Sequence, residues 1–416
     1  MGTALIQAHA SNPDRLLEEL TSLSRAVVRS ERVRRSELYH RVSAAVRVAR
    51  VGADGETSER VGTEDGTAVR LQLTDETGCR FAASTGSGRE SVEQSVRRAL
   101  DSPGRIVPRA GIRGRIDEPR LDRDPVTALP SPAELLRRLD DGLAIFRDSR
   151  RPGEATEPDE AWVEVASTVE TWAVDGVPVA SRTRQRGWAL LRPAPTAGAS
   201  LTPRPLMIAA RSWDRLAFDR WPEARSRAVT PDEVGQASSN RRVPLLFDPE
   251  TSASLALALV RSLHTGPGPI RSRVGPGWCV WNAPDARDAL FGGIFDDSGV
   301  GTARSALADG ERLVGRIDGA GHLRRPSFRD PPRPLPSHLL IDPPERTEAP
   351  DALRVEAISL HPLPTGEWVL DLGGAFLTTT PEELARGCVA GVGPVRSTHR
   401  GVETPALLFE GLEVRT

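Results

Sequence analysis

The sequence predicts an α+β protein in two parts. Residues 1–235 read as an N-terminal α/β domain with an antiparallel-rich sheet and flanking helices; residues 236–416 read as a C-terminal β-rich domain, barrel- or sandwich-like. Three observations carry this. Apolar residues recur at helical spacing in separate stretches of the first half, and long alternating stretches lie between them. Beyond residue 265 the chain becomes short apolar runs broken by Gly and Pro. A chain of 416 residues is also long enough for more than one domain and a sizeable core, although only 38% of it is hydrophobic.

The elements follow in chain order. Asn12-Pro13-Asp14 forms a helix start, and Leu16, Leu17, Leu20, Leu23 and Val27 follow at helical spacing. From about Ser43 the period becomes that of strands. Val69, Leu71 and Leu73 share one strand face, Asp75 to Gly78 make a turn, and Cys79 and Phe81 resume on the next strand. Arg89 to Leu100 is a short amphipathic helix with Val92, Val96 and Leu100 on one side. Residues 101–130 read as a connecting loop. Ser131-Pro132-Ala133-Glu134 is a capping box that opens a helix with Leu135, Leu136, Leu139, Leu143 and Phe146 on one face. After a loop over 151–160, AWVEVASTVETWAV and VPVASRTRQRGWALL flank Asp175-Gly176 as a long hairpin. Residues 204–222 fit helix or strand equally. The polar stretch 230–241 marks the domain boundary. VPLLF then reads as a buried strand, and Asp248-Pro249 opens the apolar helix TSASLALALVRSLH. The run RPSFRDPPRPLPSHLLIDPPER reads as a proline-stiffened loop, or as a polyproline segment for a partner.

Charge and composition exclude several functions. The 55 basic and 57 acidic residues leave a net charge of −2, which disfavours general nucleic-acid binding. No lysine occurs, so neither a Schiff base nor a P-loop lysine is available, and anion recognition falls to arginine and backbone N–H groups. Cys79, Cys279 and Cys388 lie far apart and form no disulfide framework or zinc clamp, which suits a reducing cytoplasm. The first residues lack a signal-peptide pattern, and no stretch is apolar enough to span a membrane.

Motifs for chemistry are sparse. No GxGxxG is complete, no GxSxG occurs, and none of the seven histidines is followed by Glu. Asp296-Asp297 beside glycines could bind a metal or act as acid and base, or simply form an acidic turn. His264 at the end of the apolar helix reads as a C-terminal cation or a lone ligand. Cys79 and Cys388 read as core residues, whereas Cys279 between Trp278 and Trp281 could be a reactive thiol.

Three segments, in this order and spacing, resemble the TldD/PmbA family of heterodimeric zinc metallopeptidases. They are residues 66–101 (GTAVRLQLTDETGCRFAASTGSGRESVEQSVRRALD), 243–266 (VPLLFDPETSASLALALVRSLHTG) and 295–317 (FDDSGVGTARSALADGERLVGRI). The resemblance implies that the helix opening the C-terminal domain would carry HExxxH in a TldD-like subunit, with two His on zinc and the Glu as general base. Here that helix reads LALALVRS from Leu255 to Ser262, and such side chains can neither ligate zinc nor accept a proton. The implied role is therefore a TldE (PmbA)-like subunit without cofactor, whose TldD-like partner holds the zinc and cleaves a peptide or amide bond. The setting implied is peptide maturation, such as antibiotic biosynthesis. Asp296, Asp297, Arg304, Arg316 and His264 are the candidates to line the cleft or interface; either arginine could anchor a substrate carboxylate or phosphate, or be a solvated strand charge. Two other readings stand beside this one: an enzyme in its own right using Asp296 and Asp297, and a stand-alone homodimeric binding or structural protein that has lost peptidase function.

Overall fold

Strand β1 (Val33–Val51) organises the first half. It pairs antiparallel along almost its whole length with β2 (Glu56–Leu73) on one side, and through Glu37–Val51 with β5 (Pro158–Val174) on the other. The computed structural model describes residues 13–415 except 30–31, 53–54, 75, 77, 87, 102–119, 124–127, 150–157, 195–204, 226–240, 265–271, 287–288, 318–321, 326, 350, 356–357 and 373–374. Strands β3 (Arg80–Thr85), β4 (Arg120–Arg123), β5 (Pro158–Val174), β6 (Val177–Pro193) and β7 (Leu206–Ala210) complete a seven-stranded sheet. Its order is β3-β2-β1-β5-β6-β4, with β7 also on β6. Asp175 and Gly176 close the β5–β6 hairpin at φ 50° and 77°, the conformation a two-residue turn needs to match the strand twist.

Alternation gives this sheet two faces. The face bearing Leu38, Val46, Val48, Val69 and Leu71 packs on helices. Leu20 of α1 (Pro13–Val28) and Val92 and Ala99 of α2 (Arg89–Asp101) cover one end. At the other end α3 (Pro132–Asp148) buries Leu135, Leu139, Leu143 and Phe146. The Ser131–Glu134 capping box forms as the sequence predicts. The stretch 204–222 resolves into β7 followed by 3-10 turns, which bring Leu216, Phe218 and Trp221 onto the α3 core.

Other boundaries differ from the expectation. β1 begins at Val33, not near Ser43. β5 begins at Pro158, within the expected 151–160 loop. β4 lies within the expected loop 101–130, as a four-residue strand parallel to β6. Asn12 and most of the expected break over 230–241 fall outside the described residues, as do Asp75 and Thr77 of the predicted turn.

The second half begins with β8 (Arg241–Arg242), β9 (Leu245–Phe247) and α4 (Pro249–His264), whose first turn is capped by Asp248 Oδ1 accepting from the Thr251 N–H at 2.6 Å. An eight-stranded sheet contains β10 (Cys279–Asn282), β11 (Ser305–Asp309), β14 (Leu339–Ile341), β15 (Glu345–Arg346), β16 (Leu353–Val355), β20 (Cys388–Ser397), β21 (Val402–Phe409) and β9. β12 (Leu323–Arg324) and β13 (Arg333–Pro334) form a two-stranded ribbon. A five-stranded sheet runs β17 (Ser359–Pro362), β18 (Trp368–Asp371), β19 (Phe376–Thr379), β22 (Glu413–Arg415), β8. The last helix, α5 (Pro381–Gly387), leads into β20. The proline-rich run thus contributes three short strands to the fold, not only a stiff loop. Ala253, Leu255, Ala256, Leu259 and Val260 of α4 are buried with Phe247, Trp278, Val280, Leu370 and Leu407 in the largest core of the molecule. Five α-helices among the described residues, and strands over 47%, make this an α+β fold with a curled half-barrel sheet. No helix among the described residues is long and apolar enough to cross a membrane.

The second half packs on the other face of the first sheet. Phe295 and Phe328 sit among Tyr39, Ala68, Trp172, Val179 and Ala180. The ring of Phe328 occupies the place where a Cβ on Gly66 would be, 2.2 Å away, so this contact needs glycine. Gly66→Ala is expected to lower unfolding stability by roughly 1–3 kcal/mol through overpacking. An unchanged urea midpoint would show that Phe328 does not seat there.

Candidate functional site

The face that meets the second half carries charge as well as rings. On β6, Arg182, Arg184 and Arg186 alternate onto it; Glu170 of β5 and Arg41 of β1 stand beside them. Phe291, Asp297, Arg324 and Arg325 approach from the second half, and together these groups line a cavity of about 150 Å³.

Arg182 is the centre of its ionic network. Its Nε donates to Glu170 Oε2 at 2.7 Å and its Nη2 to Asp297 Oδ1 at 2.6 Å, and it lies over the rings of Trp172 and Phe295 at 5.0 and 5.4 Å. Tyr39 donates its hydroxyl to Glu170 Oε1 at 2.6 Å, and Trp172 Nε1 donates to the Asp297 carbonyl at 3.0 Å. Asp297 Oδ2 accepts the Arg325 N–H at 2.6 Å. Arg325 also pairs with Glu37, which in turn holds Arg70 across β1 and β2.

Burial acts against every one of these charges, and the neighbours decide the outcome. Burial would raise the Glu170 carboxyl, but Arg182, aided by Arg41 and Arg184, holds it down at about 2. Burial opposes Asp297 likewise, and Arg182 and Arg324 keep it well below the usual carboxylate range. Arg182 is drawn upward by Glu170 and Asp297 in spite of its own burial. Burial lifts the Tyr39 phenol well above its ordinary value, and the Glu170 charge adds to this.

Arg184 and Arg186 are in a different position. Arg184 is 5% exposed, and its Nε, Nη1 and Nη2 have no hydrogen-bond partner. Its acidic contact is Asp122 at 3.6 Å. Burial, with Arg182 next to it, lowers it to about 9. Arg186 is pushed well below its ordinary value by burial and by Arg184, and its guanidinium lies 4.8 Å from the Phe291 ring centre. Arg324 is 4.8 Å from the same ring and is also lowered by burial. Such a wall can hold an anion by paired guanidinium forks.

The residues singled out in the sequence have separate fates. Asp297 lines the cavity. Asp296 turns away and ties the loop: its Oδ1 accepts from Ser298 N, Ser298 Oγ and Val300 N, and its Oδ2 from Leu323 N. Burial raises its carboxyl nonetheless. Arg304 is exposed and stacks on Trp281 at 5.1 Å, and Arg316 is half-buried beside Ile317. Neither lines the arginine cavity. His264 is fully buried, with its Nδ1 2.8 Å from the Gly315 carbonyl, and burial lowers it towards the neutral ring. Cys388 is buried and its thiol pushed up; Cys279 is half-buried and also pushed up by burial, the reverse of an activated thiol. The row at 182, 184 and 186 was not singled out in the sequence, although three arginines at period two inside a strand are its signal.

A larger, more open groove of about 360 Å³ lies at the start of α4. There Glu250 of α4 faces His399 at 3.1 Å and Arg220 from the first half at 3.6 Å. Among the described residues no three His, Cys, Asp or Glu side chains converge as metal ligands would. The buried positions of α4 are Thr251, Ser252, Ala253, Leu255, Ala256, Leu259, Val260 and His264, a set with one histidine and no carboxylate that does not fit a zinc ion.

Solved structures match this architecture, three of them as follows. TldE from Thermococcus kodakarensis is 16% identical with a TM-score of 0.71, over 96% of this chain and 100% of that one. The chain has the fold of TldE. Two proteins described as modulators of DNA gyrase share that fold. The one from Bacteroides thetaiotaomicron is 12% identical, with a TM-score of 0.69 over 95% and 98% of the two chains. The one from Thermotoga maritima is 12% identical, with a TM-score of 0.61 over 91% and 96%. No family model and no curated protein matches the sequence.

The joint of this TldE fold has a testable acid signature. Arg182→Met leaves Glu170 and Asp297 buried without their shared cation and is expected to cost about 3–5 kcal/mol at neutral pH. A carboxyl held low in the folded state stabilises above its unfolded pKa and loses that contribution as pH falls through the folded one. Unfolded Glu titrates near 4.3 and Glu170 at about 2. Wild type should therefore lose stability between about pH 4 and 2, while Arg182→Met loses less over that window. Parallel urea denaturation across pH checks both, and a deficit that persists undiminished at low pH contradicts the clamp.

Proposed function

We propose that this chain is a non-catalytic TldE-like subunit of a heterodimeric zinc hydrolase in the TldD/PmbA family. It completes the substrate cleft of a TldD-like subunit that carries HExxxH and cleaves peptide or amide bonds. The observation that carries this reading is the content of α4. In the family that the sequence resembles, this is the helix on which a catalytic subunit places its zinc ligands and general base. Here Ala253, Leu255, Ala256, Leu259 and Val260 pack in a hydrocarbon core, and the other buried residues of the helix, Thr251, Ser252 and His264, supply no HExxxH. The likeness to TldE over 96% of the chain supports the reading as well.

His264 supports it from the other direction. Buried at the end of α4 and aimed at the Gly315 carbonyl, it serves the packing of that helix. The setting we propose is the cytoplasm and the substrate a small or extended peptide, or an amide-containing intermediate such as one in antibiotic biosynthesis.

Co-expression with a HExxxH-bearing TldD-like chain tests the proposal. The two chains are expected to co-purify with one zinc per pair, and peptide or amide cleavage is expected from the pair and from neither chain alone. Stoichiometric zinc and full activity in the isolated chain would overturn it, and so would a stable homodimer that takes no such partner.

A further inference from the structure

We propose that the pocket walled by Arg184 and Arg186 binds an oxyanion: a phosphate, or the carboxylate of a small ligand or peptide end. The first ground is that the acids lining the pocket, Glu170 and Asp297, and Glu37 behind them are already engaged. Glu170 accepts from Arg182 and Tyr39, Asp297 from Arg182 and the Arg325 amide, and Glu37 from Arg70 and Arg325. What remains for Arg184 is Asp122 at 3.6 Å, and for Arg186 the ring of Phe291.

The second ground is desolvation. Three nitrogens of Arg184 are buried without a hydrogen-bond partner, beside the buried, unbonded Nε of Arg186. Removing a cation from water without supplying an acceptor is costly, and an arginine cannot escape by giving up its proton at neutral pH. An oxyanion in the cavity supplies the missing acceptors. Alternation on one strand places the two guanidiniums on the same side, with Cα atoms about 6.6 Å apart, so that two forks can converge on one group.

The third ground is size. About 150 Å³ is roughly half the lower bound of pockets that enclose whole small-molecule ligands. It admits a terminal anionic group or a free oxyanion with a few waters, and it excludes a nucleotide. The walls are ionic and aromatic (Phe291 and Trp188), which suits a planar or tetrahedral anion.

The pocket is built from this chain alone, so the inference is independent of any zinc-bearing partner and is tested without one. The purified full chain is titrated with inorganic phosphate, with acetate, and with a short peptide bearing either a free or an amidated C-terminus. Sodium chloride keeps the ionic strength constant throughout, and calorimetry and melting temperature are the readouts. Wild type is expected to give a saturable response to phosphate or to carboxylate beyond that to chloride. A preference for phosphate, or for the free over the amidated peptide, identifies the source of the anion. Arg184→Gln is expected to weaken binding at least ten-fold, and Arg186→Gln, at a half-buried site with less structural consequence, to weaken it similarly. Arg60→Gln on the exposed part of β2 should leave binding unchanged. No response beyond chloride in wild type, or wild-type binding in both Arg184→Gln and Arg186→Gln, would overturn the proposal.

Discussion

A guanidinium stands at the centre of the contact between the two halves of the molecule. Arg182 stands on the first sheet, holds Glu170 of the neighbouring strand, and reaches Asp297 of the second half. The Trp172 indole closes the same joint from below by donating to the Asp297 carbonyl. A buried ion pair is weak evidence for stability, because desolvation offsets most of the attraction. What it adds here is direction. The surrounding apolar contacts of Phe295 and Phe328 would tolerate a small slide, since burial is non-directional. A two-carboxylate clamp with bonds of 2.6 and 2.7 Å does not. The three residues of this clamp also line the cavity beside it, so the contact fixes that part of its wall.

The same burial explains which parts of the fold were legible in the sequence. Local signals were enough where local chemistry decides the structure: the Ser131 capping box, the Asp175-Gly176 turn and the Asp248 cap of α4 all formed where expected. The start of β1 was not legible. Residues 33–42 read VRRSELYHRV, which looks solvated on both faces. In the fold Glu37, Tyr39 and His40 are buried, each bonded to a distant residue: Arg70 and Arg325, Glu170, and Asp65. Polarity that is satisfied across strands cannot be told from exposure in a single sequence. The arginine row was hidden for the same reason. β4 was hidden for another: four residues, held parallel to β6 by pairing alone, are too few to show a period.

The absence of lysine began as a bias of composition, and at this pocket it has a chemical consequence. Burial takes Arg184 down to about 9, which still leaves it charged at neutral pH. A comparable drop acting on lysine, whose ordinary value is about 10.4, would carry it close to neutrality. Only arginine can line a desolvated wall and remain cationic on it. The pairing of rings with guanidiniums fits this too, because Phe291 under Arg186 and Arg324 provides contact without neutralising either.

The two halves of the molecule then divide two kinds of chemistry between them. In the second half, α4 is packed on hydrocarbon, and its one histidine is spent on a backbone carbonyl. Its one carboxylate, Glu250 in the first turn, faces His399 and Arg220. Along the joint, the reverse holds: cations outnumber the acids that line the cavity, and they stand rigidly where a ligand could reach them. Proteins do not retain buried, unpaired charge for stability, since apolar residues of similar volume would serve the fold better. Its presence here fits the anion pocket proposed at the seam between the two halves.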